Sequence, residues 1–466
     1  MGLRESLMSQ NDPLLSSRRE FLTAAGGLAV GSMLPSLEIP FVHSGSDETI
    51  QVALVGCGGR GSGAAVNAVR SKGGGVKLVA MADVFQDKMD GSVNNLSKSI
   101  KDQMDVPKER QFVGYDAYKQ AMDCLKPGDV VILTTPPGFR WLHFKYAVEK
   151  KLNIFMEKPV TVDGPTSKKF LELNKAALAA DLKIVVGLMS RHSVSLQELH
   201  KRVQDGQLGD IMYMRGYRMH GPAASFESTP KPANMSHLEY QIRRFHSFLW
   251  ASGGAFNDFY IHHIDHLSWM KNSWPVSAHA VGGRHFKRNN ERVEFVDQNF
   301  DSYSVEYTYA DGSKLFFDGR CMHGARGVFQ SFVHGTKGAA IAARSGDCGG
   351  PAAIFSDQNM SEDKQVWVSD DRSNPYQNEW DTLIDAIRTG KKRNETESGV
   401  YASAAASMGR MAAHTGQEIT MEQFLNHDHE FAPNVAQLTV HSAAPLMPGP
   451  DGFYARPRPG QIENEY

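Results

Sequence analysis

From residue 50 onward, short apolar runs alternate with longer amphipathic stretches. Residues 50–55, IQVALV, stop abruptly at Gly56 and predict a buried strand. A small-residue segment over 62–70 predicts a helix, and residues 76–82 predict a second buried strand closed by Asp83. Residues 130–133 predict a third strand, followed by Thr134-Thr135-Pro136-Pro137 and a helix through Val148. A strand over 153–156, a helix over 168–180 and a strand over 183–187 complete the series. Strands this short, separated by helices, need crossover connections, so the first half is read as a parallel sheet with helices on its faces.

Beyond about residue 210 the segments become longer and alternate. Residues 302–309 and 314–320 flank Asp311-Gly312, a hairpin signal, so this half is expected to hold an antiparallel or mixed sheet. Residues 378–389 and 399–413 read as helices, and residues 220–237, rich in Pro, Ser and Ala, read as a long loop. After about Asn426 the pattern fades into a tail carrying Pro433, Pro445, Pro448, Pro450, Pro457 and Pro459.

A chain of 466 residues exceeds what one core usually serves. The division read from the pattern is 1–45 export signal and linker, 46–185 first domain, 186–425 second domain and 426–466 extended tail. The net charge of −2 offers no basic field for nucleic acid, which is excluded as a partner. Cys57, Cys124, Cys321 and Cys348 lack the close spacing of a zinc or redox motif; they read as small buried hydrophobes, with one disulfide as the alternative. Ser17-Arg18-Arg19-Glu20-Phe21-Leu22 runs into an uncharged apolar stretch over 23–34, the order of a twin-arginine export signal. That stretch is too short for a stable membrane span. The expectation is a periplasmic or otherwise exported protein handled by the twin-arginine machinery, tethered to the membrane if the signal is uncleaved. The alternative is a short amphipathic N-terminal helix.

Three elements carry chemistry. Gly56-Cys57-Gly58-Gly59-Arg60-Gly61 lies between a predicted strand and helix, with Asp83 ending the next strand. Glycines there let backbone N–H groups reach a pyrophosphate, and an acid about 20 residues on accepts ribose hydroxyls. A carboxylate at Asp83 disfavours a 2′-phosphate, so NAD is expected over NADP; Asp83 as a helix N-cap, and Arg60 as a phosphate contact, are the competing readings. Glu157-Lys158-Pro159 follows a strand on the same sheet edge, where a lysine faces the ligand crevice and can polarise a hydroxyl. The third element, residues 253–266, places Asp258, His262 and Asp265 at i, i+4 and i+7 if helical, so that a carboxylate can orient an imidazole and raise its pKa. His263-x-Asp265-His266 looks like part of a metallohydrolase signature, but its first histidine position is Ile261 and no second ligand cluster is apparent, so no metal is expected.

These elements stand in the order found in Gfo/Idh/MocA oxidoreductases, and the chain resembles that family from about residue 50 to 425. Further matches are Thr134-Thr135-Pro136-Pro137 followed by His143, Val186-Gly187 followed by Arg191, Gly335-Thr336-Lys337-Gly338, and Asn374-Pro375-Tyr376 leading into a helix. The resemblance implies an α/β protein: an N-terminal Rossmann dinucleotide-binding domain, and a C-terminal α/β (α+β) domain with a large open, mostly antiparallel sheet whose exposed face makes dimers or tetramers. By position it implies that Thr135, Pro136, His143, Glu157 and Lys158 join Gly56, Gly58, Gly59, Arg60, Gly61 and Asp83 around the cofactor. Lys158 would orient the substrate hydroxyl, His262 would take its proton and Asp258 would assist, with His263 as the neighbouring alternative base. Arg191, Tyr240, Arg244, His246, Trp250 and Asp265 are carried over to the substrate side.

The expected activity is NAD(P)-dependent hydride transfer from a hydroxyl of a sugar or sugar-like polyol. Free NAD is scarce outside the cytoplasm, so the cofactor is expected to be tightly bound and recycled in place. Two other readings use the same residues: a redox-neutral NAD-dependent glycosidase working by oxidation, elimination and reduction, with Tyr240, His246 or His220 as an additional acid or base, and a sugar-binding protein without turnover.

Overall fold

The computed structural model describes residues 48–348 and 350–466; the twin-arginine segment and the apolar run over 23–34 lie outside the described residues. The first sheet is built from β1 (Ile50–Val55), β2 (Val76–Asp83), β3 (Gln111–Val113), β4 (Val130–Leu133), β5 (Asn153–Met156) and β6 (Ile184–Val186). Its order is β3-β2-β1-β4-β5-β6 and every pairing is parallel. This is the doubly wound arrangement, with the order reversing between β1 and β4, and a crevice forms at that switch point outside the carboxyl ends of the strands.

Apart from the edge strand β3, the strands are largely buried on both faces, which explains their near-continuous apolar character. On one face Val52, Leu54, Leu78 and Ile132 meet Ala64, Ala65 and Ala68 of the helix Gly59–Val69. The same face takes Trp380, Leu383, Ile384 and Ile387 from the helix Pro375–Thr389, with Trp380 stacked on Phe155 at 4.5 Å. The chain therefore recrosses the sequence division at 185/186 and completes the first layer from near its C-terminal end.

The second sheet contains β7 (Ile211–His220), β8 (Ser277–Gly283), β9 (Ser302–Thr308), β10 (Lys314–Cys321), β11 (Val328–Gly335), β12 (Gly338–Ala343), β13 (Ala353–Phe355), β14 (Gln365–Val368) and β15 (Ile419–Thr420). Its order is β14-β13-β12-β11-β7-β10-β9-β8-β15, antiparallel except for β10 against β7. Leu315 and Phe317 point into the core, while Phe316 between them is 42% exposed on the opposite face. The helices Ile261–Lys271 and Thr396–Thr415 lie under the buried face, the former bringing Ile264 and Leu267 and the latter Val400, Ala404 and Met408 into the core.

Residues 221–236 form no helix or strand. The tail also lacks long regular elements, but it is packed: Phe431, Val435, Leu446 and Tyr454 join Tyr240, Phe248 and Trp250 in one apolar cluster. Its anchors are irregularly spaced, so no periodicity announces them. All four cysteines are free, with Cys57 and Cys321 buried. Among the described residues no helix is long and apolar enough to cross a membrane.

Candidate functional site

The glycine turn after β1 owes its shape to contacts that a side chain would block. Gly56 has φ +102°, and a Cβ there would lie 2.7 Å from the Thr135 nitrogen. A Cβ on Gly61 would lie 2.1 Å from the Gly56 carbonyl oxygen. At Gly58 and Gly59 the same construction meets nothing within 4 Å. Two of the glycines are thus required by the protein itself, and the other two leave open space where a ligand can approach the backbone.

Asp83 braces this turn. Its carboxylate accepts from Cys57 N at 2.7 Å and from Phe85 N at 2.9 Å. It is not the N-cap of the helix Gln86–Ser99, which begins after Phe85 without a side-chain cap. Burial pushes its carboxyl up, against the three backbone N–H groups that favour the anion. Gly56, Gly58, Gly59, Asp83, Thr135, Pro136 and His143 all line one cavity of about 300 Å³, closed on the far side by Ile242, Arg243 and Phe245. Thr135 Oγ1 lies 3.0 Å from His143 Nδ1, and burial together with Arg140 pushes that imidazole down to about 3, so it is neutral.

Gly61→Ala is expected to lower stability by about 1–3 kcal/mol through overpacking, with loss of nucleotide binding. Gly58→Ala meets no protein atom, so the unfolding midpoint should hold while nucleotide affinity falls. Thermal unfolding with and without NAD tests both, and a Gly58→Ala protein that binds NAD like the parent would place the pyrophosphate elsewhere.

Arg60 turns from the glycine turn toward two acids. Its Nε lies 2.5 Å from Glu157 Oε1, its Nη2 lies 3.3 Å from Glu379 Oε1, and its guanidinium sits 4.5 Å above the Tyr376 ring. Glu157 tucks against Gly187, where any Cβ would come within 2.7 Å of its carboxylate. Glu379 is fully buried, and burial with the nearby Glu157 charge drives its carboxyl well up despite Arg60.

The second cluster is built where β5 ends. Lys158 Nζ donates to the Asp258 carbonyl at 2.6 Å and lies 3.4 Å from Asp258 Oδ1. The other carboxylate oxygen of Asp258 lies 3.2 Å from His246 Nε2, whose Nδ1 is 2.9 Å from Ser225 Oγ. Burial would raise the Asp258 carboxyl, but Lys158 and His246 outweigh it and hold it far below the usual range. An ammonium has three N–H bonds. With two directed at Asp258, the third is available to a substrate oxygen.

Asp258 lies in a single π turn, Phe256–Tyr260, which runs into the helix Ile261–Lys271. Such turns are frequent at functional sites because they re-aim side chains within a helix. Asp258 is spent on Lys158 and His246, and His262 Nδ1 has no hydrogen-bond partner. The His262 imidazole is driven well down by burial, then by Lys158 and Arg218, which exceed the opposing effect of Asp258. This differs from the raised pKa read from the i, i+4 spacing: the carboxylate is already neutralised by two other cations or donors. His263 is fully buried, 5.0 Å from Phe329 ring to ring, and His266 bonds Ser331 Oγ at 2.7 Å.

The remaining candidates divide. Asp265 and Arg191 pair with each other, Nη2 to Oδ1 at 2.8 Å and Nε to both oxygens at 3.0 Å. Trp250 is fully buried with Nε1 donating to Gln241 at 2.7 Å, Tyr240 donates to the Thr229 carbonyl, and Arg244 Nε donates to Ser228 Oγ at 2.8 Å. Those three side chains hold the 221–250 segment in place, whereas His246 from the same segment reaches the Lys158 cluster. His220 lies 3.6 Å from Cys321 Sγ through Nε2.

Several residues were not singled out from sequence. Arg140, fully buried, donates to the carbonyls of Leu133 and Thr135 and fixes the end of β4. Arg218 donates to the Phe259 carbonyl and lies 3.2 Å from Asp347 Oδ1, beneath the π turn. No local pattern marks these pairs, because each spans distant parts of the chain. Among the described residues no group of three or more His, Cys, Asp or Glu could hold a metal ion.

A parallel, doubly wound sheet with a glycine turn and a lysine at one carboxyl edge, joined to an open, mostly antiparallel sheet, defines a protein of the dinucleotide-binding fold class. Residues 196–341 of this chain match the GFO/IDH/MocA C-terminal domain model. It is 24% identical over 169 residues to inositol 2-dehydrogenase 1 of Paenarthrobacter aurescens, a match covering 36% of this chain and 44% of that protein. The chain thus spans less than half the length of that relative. In fold it is similar to an aldose-aldose oxidoreductase from Caulobacter crescentus complexed with glycerol, at 15% identity and TM-score 0.59 over 80% of this chain and all of that one. It is likewise similar to scyllo-inositol dehydrogenase from Lactobacillus casei with bound NAD(H) and scyllo-inositol, at 19% identity and TM-score 0.57 over 80% and 100% of the two chains.

Proposed function

We propose that this protein is an NAD-dependent oxidoreductase that oxidises a secondary hydroxyl of a cyclic polyol or sugar. The observation that carries the reading is Lys158, held by Asp258 at the carboxyl end of β5, on the same sheet edge as the open glycine turn and Asp83. The residues fit a dinucleotide: Gly58 and Gly59 leave their backbone approachable, and the Asp83 carboxylate lines the adjoining cavity and favours NAD over NADP. What NAD supplies when bound is a hydride acceptor.

The chain's own residues handle the oxygen and its proton. Lys158 directs its free N–H to the reacting hydroxyl and holds that oxygen at the sheet edge. His262, kept neutral by burial and by Lys158 and Arg218, has an unpartnered Nδ1 and can accept the hydroxyl proton. Asp258 stays anionic and fixes the lysine.

The relatives named as inositol dehydrogenases support a polyol substrate. Tight binding and recycling of the cofactor, export through the twin-arginine sequence at Arg18-Arg19, and assembly through the open sheet face carrying Phe316 belong to the same proposal. The test is to purify the protein without added cofactor, release the nucleotide by denaturation, identify it by mass, and assay inositols, aldoses and nitrophenyl glycosides. Bound or readily taken up NAD, with reduction of NAD by inositols or paired conversion of aldoses, is the expected result. Glycoside cleavage without net NADH would favour the redox-neutral glycosidase, and a protein that neither carries nor takes up nucleotide would overturn both.

A further inference from the structure

Away from the Lys158 cluster, a groove of about 660 Å³ runs between the segment after β8, residues 284–300, and the tail segment 447–458. Its floor is apolar and fixed: Phe295, Phe300 and Tyr454 are buried, Gln298 Nε2 donates to the Ala455 carbonyl at 2.8 Å, and Tyr454 bonds His237. The tail turn is held by Gly449 N on the Phe453 carbonyl at 2.8 Å and by Phe453 N on Asp451 Oδ1 at 3.0 Å. The walls are therefore preformed.

Arg284, Lys287, Arg456 and Arg458 bring four cations to this groove, against Asp451 as the one carboxylate that lines it. The chain as a whole carries a net charge of −2, so this is a local concentration and not a general basic character. Lys287, Arg456 and Arg458 are exposed, and none is ion-paired with a described acid. Arg284 is different: its side chain is 11% exposed, it is paired to buried Asp297, and its Nη2 is buried without a partner. Three unneutralised cations on the rim of a cleft recognise acid groups on an elongated ligand, while the apolar floor covers the uncharged faces between them.

We infer that this groove is a second binding site, for an acidic saccharide carrying carboxylate or sulfate groups. It does not depend on the reading of the Lys158 cluster, although the two are neighbours: Asn299, which lines the groove, donates through Nδ2 to the His246 carbonyl at 2.9 Å.

The experiment is calorimetric titration of the full chain with trigalacturonate, its methyl ester, a sulfated heparin tetrasaccharide and inorganic sulfate. One of the acidic oligosaccharides is expected to bind with a Kd between about 1 μM and 1 mM. That binding should weaken at least tenfold in the ester or in the Lys287→Ala/Arg456→Ala/Arg458→Ala protein, and should fade as salt shortens the screening length to about 3 Å at 1 M. These three side chains are exposed, so an unchanged unfolding midpoint is expected and marks the loss as local; Arg458→Glu alone serves if the triple variant is unstable. Lys158→Ala should bind as the parent does, which separates this site from the proposed active site. Absence of binding by both acidic oligosaccharides, equal binding of the ester, equal binding by the groove variants, or inorganic sulfate matching the oligosaccharides would each overturn the inference.

Discussion

Lys158→Met is expected to give a folded protein that still binds NAD but turns over polyols about 10²–10⁴-fold more slowly, the range lost when a positioned proton-handling group is removed. The lysine lies outside the cavity lined by the glycine turn and Asp83, so nucleotide affinity should hold. Its removal leaves Asp258 with His246 at 3.2 Å, so the carboxylate is not stranded and the fold should survive. His262→Ala should also be slow, and the double variant should be little worse than either single one if the two residues act on one oxygen and its proton. Steady-state rates with NAD and an inositol, alongside nucleotide titration, read these outcomes. A Lys158→Met protein with parental turnover would remove the lysine from the chemistry, whereas loss of NAD binding would reassign it to the cofactor.

What could be read from sequence was whatever local backbone geometry or burial imposes on neighbouring residues. The glycine turn was legible because Gly56 and Gly61 answer to contacts that exclude a Cβ, and Asp83 because a strand of fixed length places it beside that turn. The first sheet was legible because its central strands, buried on both faces, carry few polar residues. The i, i+4 spacing of Asp258 and His262 was visible too, but not the π turn that re-aims Asp258, nor the arrival of His246 from a loop. Arg140 and Arg218 were missed because a buried guanidinium is explained only by the carbonyls and carboxylates it meets, which lie elsewhere in the chain. Arg191 and Asp265 were both marked as substrate residues, and neither position alone reveals that their charges satisfy each other. The tail was read as extended because its anchors have no period.

That tail supports the second large expected effect. Glu465, one residue from the end, is buried between Arg410 and His414: Arg410 Nε and Nη2 each lie 2.8 Å from its carboxylate oxygens, and His414 Nδ1 lies 2.9 Å away. Arg410 is fully buried, so Glu465→Ala strands its charge, a loss of about 3–5 kcal/mol for a broken buried pair. Burial would raise the Glu465 carboxyl, but Arg410 and His414 prevail and hold it at about 2. A carboxyl lowered on folding contributes stability that is fully present above its unfolded value near 4.5 and is lost as pH falls toward 2. His414 is lowered by burial, so its contribution is also present above its ordinary value near 6.5 and declines as pH falls below it. Acid should therefore destabilise the parent more steeply than Glu465→Ala, and their unfolding midpoints should converge as pH drops. The consequence reaches the site because Arg410 also donates to the Gly253 carbonyl at 2.9 Å and to the Val162 carbonyl at 3.0 Å. Gly253, at φ +73°, begins the run into the π turn that carries Asp258, and Val162 follows Lys158 by four residues. Loosening Arg410 frees both supports of the Lys158–Asp258 pair, so Glu465→Ala should lower turnover on polyols while NAD affinity, set at the glycine turn, is retained. Equal stability of variant and parent at neutral pH would mean that the tail does not anchor the helix Thr396–Thr415, and parallel loss of turnover and NAD affinity would mean that the effect is global unfolding.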